Sequence, residues 1–355
     1  MVRFKKYMYH IFIDGLSGMA LGLFATLIIG TIIAQIASLI PGDAGYYMNL
    51  VASVAKSLTG AGIGVGIACK FKLPPLVTVS AATGGMVGAF ASKILAGTVF
   101  VDGVIHFAGP GEPLGAFVGA FVAVEFGRLV SGKTPVDILV TPIVAIGTGS
   151  IAGLIAGPPI SALMTAIGEL INWGAEQQPF LIGIIVSVLM GMALTLPISS
   201  AAIGIALGLS GIAAGAATVG CCCQMVGFAV MSYRENKMGG LIAQGLGTSM
   251  LQIPNIFKKP VVWLPPTIAS AILGPVSSYF LGMTSNAIGS GMGTSGLVGP
   301  IMAWQTMAAE GAATGVIAAE IVIMYFIAPA AVTLAISEFM RKKGWIRFGD
   351  LKLEV

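Results

Sequence analysis

Several long stretches of this chain carry no charged residue, among them three: Gly15 to Ile40, Leu139 to Gly168, and Phe180 to Tyr233. A helix rises about 1.5 Å per residue, so about 20 apolar residues cross the hydrocarbon of a bilayer. Each of the three stretches is longer than that. Charged residues make up 9% of the chain and mean hydropathy is +0.97, whereas soluble domains are about 25% charged. Lipid is therefore the solvent that sets the fold, and the expected class is an all-α polytopic membrane protein.

The formal net charge of +4 does not describe a nucleic-acid face. The cations sit at the ends of apolar runs, at Arg3, Lys5 and Lys6, at Lys70 and Lys72, at Lys133, at Lys258 and Lys259, and from Arg341 to Lys343. That is the distribution of cytoplasmic loops in membrane proteins. The basic N-terminus leads into a run much longer than a signal-peptide core and without an A-x-A-like site, so it is expected to be an uncleaved first span.

With those clusters as cytoplasmic markers, about ten spans are expected, near 11–40, 46–69, 74–96, 113–131, 135–157, 180–197, 200–232, 239–254, 261–282 and 312–340. This makes one transmembrane domain over 1–355: a first half at about 11–157, a connecting segment at 158–179, a second half at about 180–340, and cytoplasmic tails at 1–10 and 341–355. The turn "RENK" is placed outside, although Arg234 and Lys237 fit that side poorly. Residues 115–157 align without gaps on 240–282 around K-x-P-V-x-x-L. This is compatible with a parallel internal repeat, a symmetry that places a binding site between halves.

Inside hydrocarbon, backbone that is not helical survives only when buried in protein or lining water. "SNAIGSGMGTSGLVGP", Ser285 to Pro300, is glycine-rich, uncharged and set among apolar runs. It is expected to be a re-entrant hairpin, with "PPISALMTAIGELINW" as an interfacial helix or a second hairpin; an ordinary outside loop is the plain alternative. In a hairpin, Asn286, Ser290, Thr294 and Ser295 would face a polar solute, with Gln305 on the returning limb. Glu112, in "FAGPGEPLGAF", precedes a proline suited to a first helical position. It is either a helix-start residue or an acceptor for a polyol.

Charges within spans are expensive and are functional candidates by default. Glu125 and Arg128 lie three apart on one helix face and can neutralise each other. Lys56 and Glu320 have no such neighbour in sequence. These four residues are the candidates for coupling or gating.

Cys221, Cys222 and Cys223 are consecutive and cannot converge from one helix on a metal, so they are expected to pack. No metal site and no cofactor is expected. The chain contains no phosphate-binding G-x-x-x-x-G-K-[ST] motif, and no catalytic or phosphoryl-carrier residue is recognisable.

The glycine-rich hairpin, the "GEP" that opens a span and the ten-span plan resemble the membrane-embedded IIC component of the bacterial sugar phosphotransferase system. More closely, the chain resembles the IIC-like proteins that include the perfringolysin regulator, with "GSGMGTSGLVGP" as the best single match. The resemblance implies a homodimer in the cytoplasmic membrane that binds a carbohydrate and presents it to soluble phosphorylating partners. The chain would then be at most the membrane subunit of a sugar phosphotransferase complex. It also implies a sugar contact for Glu112, although Pro110 and Gly111 stand where the family's G-I-T-E-P has other residues. Two other functions fit the residues: a IIC-shaped sensor that binds without transport, and an ion-coupled secondary transporter in which Glu320 titrates.

Overall fold

The computed structural model describes residues 10–101 and 103–353. The basic cluster at Arg3, Lys5 and Lys6 lies outside the described residues. The described residues are all-α apart from one small β-hairpin, Phe100–Val101 with Val104–Ile105, which turns at Gly103. Six helices among the described residues are long and apolar enough to cross a membrane: Ile13–Ser38, Pro113–Val130, Asp137–Ala175, Gly211–Met231, Pro260–Leu281 and Thr314–Lys342. The pair Asp43–Ser57 and Thr59–Lys70, bent by 54°, makes a seventh if it is one broken span. Pro75–Ala89 and Pro179–Thr195 are apolar but shorter.

Several expected boundaries move. The segment 158–179, expected to connect the halves through an interfacial helix or a second hairpin, largely continues the preceding helix, because Asp137–Ala175 runs through Pro158 and Pro159. Proline is tolerated within membrane helices because the carbonyls it frees find other partners. The aligned stretches 115–157 and 240–282 take different forms: Pro113–Val130 is one helix, whereas its counterpart breaks into Tyr233–Ile242, a π turn, a 3-10 turn and Ile253–Lys258. Shared composition does not dictate shared geometry, since the second copy carries "GLGTS" where the first has helix formers.

The chain forms two compact units, Met1–Leu163 and Met164–Glu354. In the first, helices approach until backbones touch. A side chain at Gly22 would strike the Gly62 carbonyl, one at Gly84 would strike Gly119, and one at Gly88 would strike Gly115. Small residues permit such contact where no water drives association.

In the second unit, helix Gly211–Met231 is the core. Almost every residue from Ala214 to Met231 is buried, including Cys221, Cys222 and Cys223, which are free thiols packed as small apolar groups. Gly220 lies against the Ser187 carbonyl, so Pro179–Thr195 packs at backbone distance. One end of this unit is marked by Gly211, bridged to Ser285, and by Ser278 Oγ donating to the Pro179 carbonyl at 2.7 Å. This is the far end. The other, the tail end, carries the C-terminal segment after Lys342.

Two short chain excursions begin and finish at the far end. Pro179–Thr195 runs inward, turns through 196–199, and Ser200–Ala206 returns, with Gly204 against Ser290. Residues 285–297 run inward and Val298–Ala309 returns, its end fixed by Thr284 Oγ1 donating to Glu310 at 2.6 Å.

A third excursion begins and finishes at the tail end. Glu235 and Asn236 at its start and Asn255 and Lys259 at its finish all contact the chain between Arg341 and Leu353. Residues 239–254 are therefore not a crossing. The turn "RENK", expected on the side opposite Lys258 and Lys259, shares an end with them. Arg234 pairs with Glu338 at 3.1 Å and Arg341 with Glu235 at 2.9 Å. The expected span 200–232 likewise divides at 207–210 into a hairpin limb and the core helix.

Candidate functional site

The apexes of the three hairpins meet on one stretch of the core helix, Cys221 to Met225. Gln224 lies 13 residues into the helix from Gly211, about 20 Å from the far end at about 1.5 Å per residue. From the first hairpin, Thr195 Oγ1 donates to Gln224 Oε1 at 3.2 Å and shares a 2.9 Å hydrogen bond with Ser249 Oγ of the tail-end hairpin. From helix Leu264–Pro275 and the turn before it, Trp263 Nε1 donates to Gln224 Oε1 at 3.0 Å, and Gln224 Nε2 donates to Thr267 Oγ1 at 3.3 Å. From the second far-end hairpin, residues 285–309, Thr294 Oγ1 donates to the Gly245 carbonyl of the tail-end hairpin, and the Cys221 thiol faces the Ser290 carbonyl at 3.5 Å. Thr195, Gln224, Ser249 and Thr294 are all fully buried.

Local sequence explains why the chain breaks at these places. Gly293 has φ +50°, and a Cβ there would come within 2.8 Å of the Cys221 backbone. Only glycine takes this conformation at this distance without strain. Leu196 and Pro197 end the first limb, and Thr248, extended at φ −159°, ends the π turn of the tail-end hairpin and caps the next turn through its side chain. Beside the apexes lies an apolar cavity of about 380 Å³ lined by Val226, Ala229, Ile242, Gly245, Leu246 and Phe326 among others. It offers no polar side chain, so it cannot orient a polar solute.

The residues singled out in the sequence separate into groups. Asn286, Ser290, Thr294 and Ser295 do lie together on one hairpin. Asn286 caps its short helix, accepting from the amides of Ile288 and Gly289, and its Nδ2 points at the sulfur of Met302. Ser290 Oγ donates to the Ala287 carbonyl. The hydroxyl of Ser295 is buried and has no hydrogen-bond partner among the described residues, as is that of Ser285. Gln305 is exposed on the returning helix.

Glu112, Glu125, Arg128 and Lys56 belong to the first unit. Glu112 is half-buried and caps helix Pro113–Val130, its carboxylate accepting from the Leu114 amide at 3.4 Å and its own amide donating to the Ala89 carbonyl at 2.7 Å. Glu125 and Arg128 form an ion pair at 2.7 Å, with side chains 14% and 37% exposed. Lys56 is half-buried in the last turn of Asp43–Ser57 with its stem against Gly30. Glu320, in the second unit, is half-buried and makes no ion pair among the described residues. No group of three or more metal-ligating side chains occurs among the described residues.

The family model for the phosphotransferase system, EIIC, matches residues 13–353. This chain belongs to that family. The match covers both compact units of the EIIC chain, and a comparison with curated proteins found no match. The EIIC protein is thus a multi-pass membrane protein.

Thr195, Gln224, Ser249, Trp263 and Thr267 are not among the residues expected from sequence. The signal was there in "CCCQMVG" and "LGTSMLQIPN", where single polar side chains interrupt charge-free runs. A lone Gln in such a run must find partners within protein. Which partners it finds depends on chain breaks that hydropathy does not mark.

Proposed function

We propose that this chain is the solute-binding membrane component of a phosphotransferase-type permease, with its site at the meeting of the three hairpin apexes in the second unit. The hairpins are re-entrant, which reduces the number of complete crossings below ten. The observation that carries the proposal is the convergence of three broken backbone segments on mid-helix residues Cys221 to Met225, surrounded by apolar protein. Such breaks are tolerated in a membrane only where protein or a water-filled cavity satisfies them, and paired apexes that part create that cavity. Thr195, Gln224, Ser249 and Thr294 would exchange their present hydrogen bonds for bonds to the hydroxyls of a carbohydrate, and the hydroxyl of Ser295, which has no partner among the described residues, supplies a further one. The family supports a sugar as the solute, and it supports separate soluble partners as the source of phosphoryl groups. A homodimer in the cytoplasmic membrane with both termini inside completes the proposal. Glu112 acts in it as a helix cap, and any sugar contact it makes is additional.

The test is binding of a sugar panel to purified protein in lipid nanodiscs. Saturable binding by wild type, weakened at least ten-fold in Gln224→Leu, supports the proposal. A folded protein that binds none of the panel removes it. Uptake into proteoliposomes in the presence of phosphorylating partners then separates a permease from a sensor, which binds without uptake. An ion-coupled transporter is a second reading, motivated by Glu320, a half-buried membrane carboxylate that makes no ion pair among the described residues.

A further inference from the structure

The C-terminal segment 344–353 does more than leave the membrane. Its backbone supplies acceptors to the side chains of the tail-end hairpin. Gln252 Nε2 donates both to Gln244 Oε1 at 2.8 Å and to the Leu351 carbonyl at 3.1 Å. Asn255 Nδ2 donates to Gln252 Oε1 at 2.8 Å and to the Lys352 carbonyl at 3.0 Å. Gln244 Nε2 continues the chain of bonds to Ser232 Oγ and the Gly240 carbonyl, both at 2.9 Å. Gln244 and Gln252 are fully buried, and Asn255 nearly so.

Asn236, at the start of the hairpin, grips the tail like a β-strand partner: its Nδ2 donates to the Leu351 carbonyl at 2.8 Å and its Oδ1 accepts from the Leu353 amide at 2.9 Å. Lys259, at the finish, reaches Asp350 at 2.6 Å. Ile346 and Leu351 are buried in an apolar cluster with Phe228, Met231, Ile256 and Val262. The tail therefore touches the beginning, the interior and the end of one hairpin and is anchored to the core helix.

We propose that segment 344–353 is a positioning strap for the tail-end hairpin, whose carbonyls cap Gln252 and Asn255 and thereby hold Gly245 and Ser249 against Thr294 and Thr195. The reason lies in hydrogen-bond accounting. A buried amide that loses its acceptor keeps the full cost of having left water. With the strap displaced, Gln252 and Asn255 must rearrange or draw in water. The π turn and 3-10 turn between Ala243 and Gln252 have few helical bonds of their own to resist this. The strap's bonds to the hairpin go to Glu235, Asn236, Gln252, Asn255 and Lys259, away from the apexes, so its residues position the site and do not bind solute. The inference rests on the functional reading for its consequence but not for its geometry.

The experiment is hydrogen exchange on the full-length protein in nanodiscs, read by peptide. Ile346→Asp with Leu351→Asp drives the strap out of its apolar seat, and Asp350→Ala loosens it with less risk to folding. Exchange over 243–258 is expected to accelerate at least ten-fold in the double variant and by a smaller factor in Asp350→Ala, while Pro179–Thr195 and Gly211–Met231 keep their protection. Uniform acceleration of all segments in both variants would make the tail a general stabiliser and overturn the proposal. Unchanged exchange over 243–258 in either variant would overturn it too. Sugar affinity is measured on the same samples. If wild type binds no sugar but the hairpin opens selectively, the functional reading fails and the strap stands; if sugar binds equally well with an unchanged hairpin, the strap fails alone.

Discussion

Gln224 and Ser295 mark two kinds of buried polar residue, and they predict opposite results. Gln224 accepts from Thr195 and Trp263 and donates to Thr267, so Gln224→Leu leaves the Trp263 indole N–H unmatched. Thermal unfolding in detergent should show a loss of about 1 to 3 kcal/mol, together with the loss of binding. Ser295 has no hydrogen-bond partner among the described residues to lose. Ser295→Ala should leave the unfolding temperature within error while weakening sugar binding several-fold; equal affinity would remove Ser295 from the site. Gly293 combines the two roles, since a side chain there meets the Cys221 backbone. Gly293→Val should lower both stability and affinity. Of these residues, Ser295 was legible in the sequence as part of a glycine-rich segment, whereas Gln224 was not, because its partners come from two distant parts of the chain, Thr195 and the segment Trp263 to Thr267.

At the scale of elements, the tail-end hairpin is where hydropathy misleads. Residues 239–254 are apolar whether they cross lipid or fold back inside protein, and an apolarity count treats both alike. The charges were the better guide: Arg234 and Lys237 belong with Lys258, Lys259 and Arg341 at one end. Single cysteines at Lys237 and Lys259, in a Cys69→Ser background, should label from the same side of the membrane with an impermeant reagent. Labelling from opposite sides would restore a crossing.

The strap that secures this hairpin should respond to acid. Partial desolvation pushes the Asp350 carboxyl up, but bonds from Lys259 and the Arg347 amide outweigh it and hold the group below the ordinary carboxylate range. A depressed folded value stabilises the strap above the unfolded value, near 3.9, and that stabilisation disappears as pH falls through the folded value. Exchange of 345–353 should therefore accelerate only below about pH 4. In Asp350→Asn this acid step should be absent.

For the whole molecule, charge-free runs announced a polytopic membrane protein, and the glycine segment at 285–300 announced a break. The number of crossings was not legible, because a break in hydrogen bonding leaves no mark on average hydropathy. Glu320 provides the test at this scale. In the permease reading, uptake by proteoliposomes requires phosphorylating partners and survives in Glu320→Gln; uptake that follows a proton or sodium gradient and vanishes in that variant would instead favour ion coupling. The strap also has a consequence for biogenesis. Asn255 and Lys352 are 97 residues apart, so at roughly 5 to 20 residues per second a ribosome needs about 5 to 20 s to make the acceptor after the donor. Throughout that interval the nascent hairpin has its amides uncapped at the membrane surface, which is when an insertase or a quality-control protease would meet it.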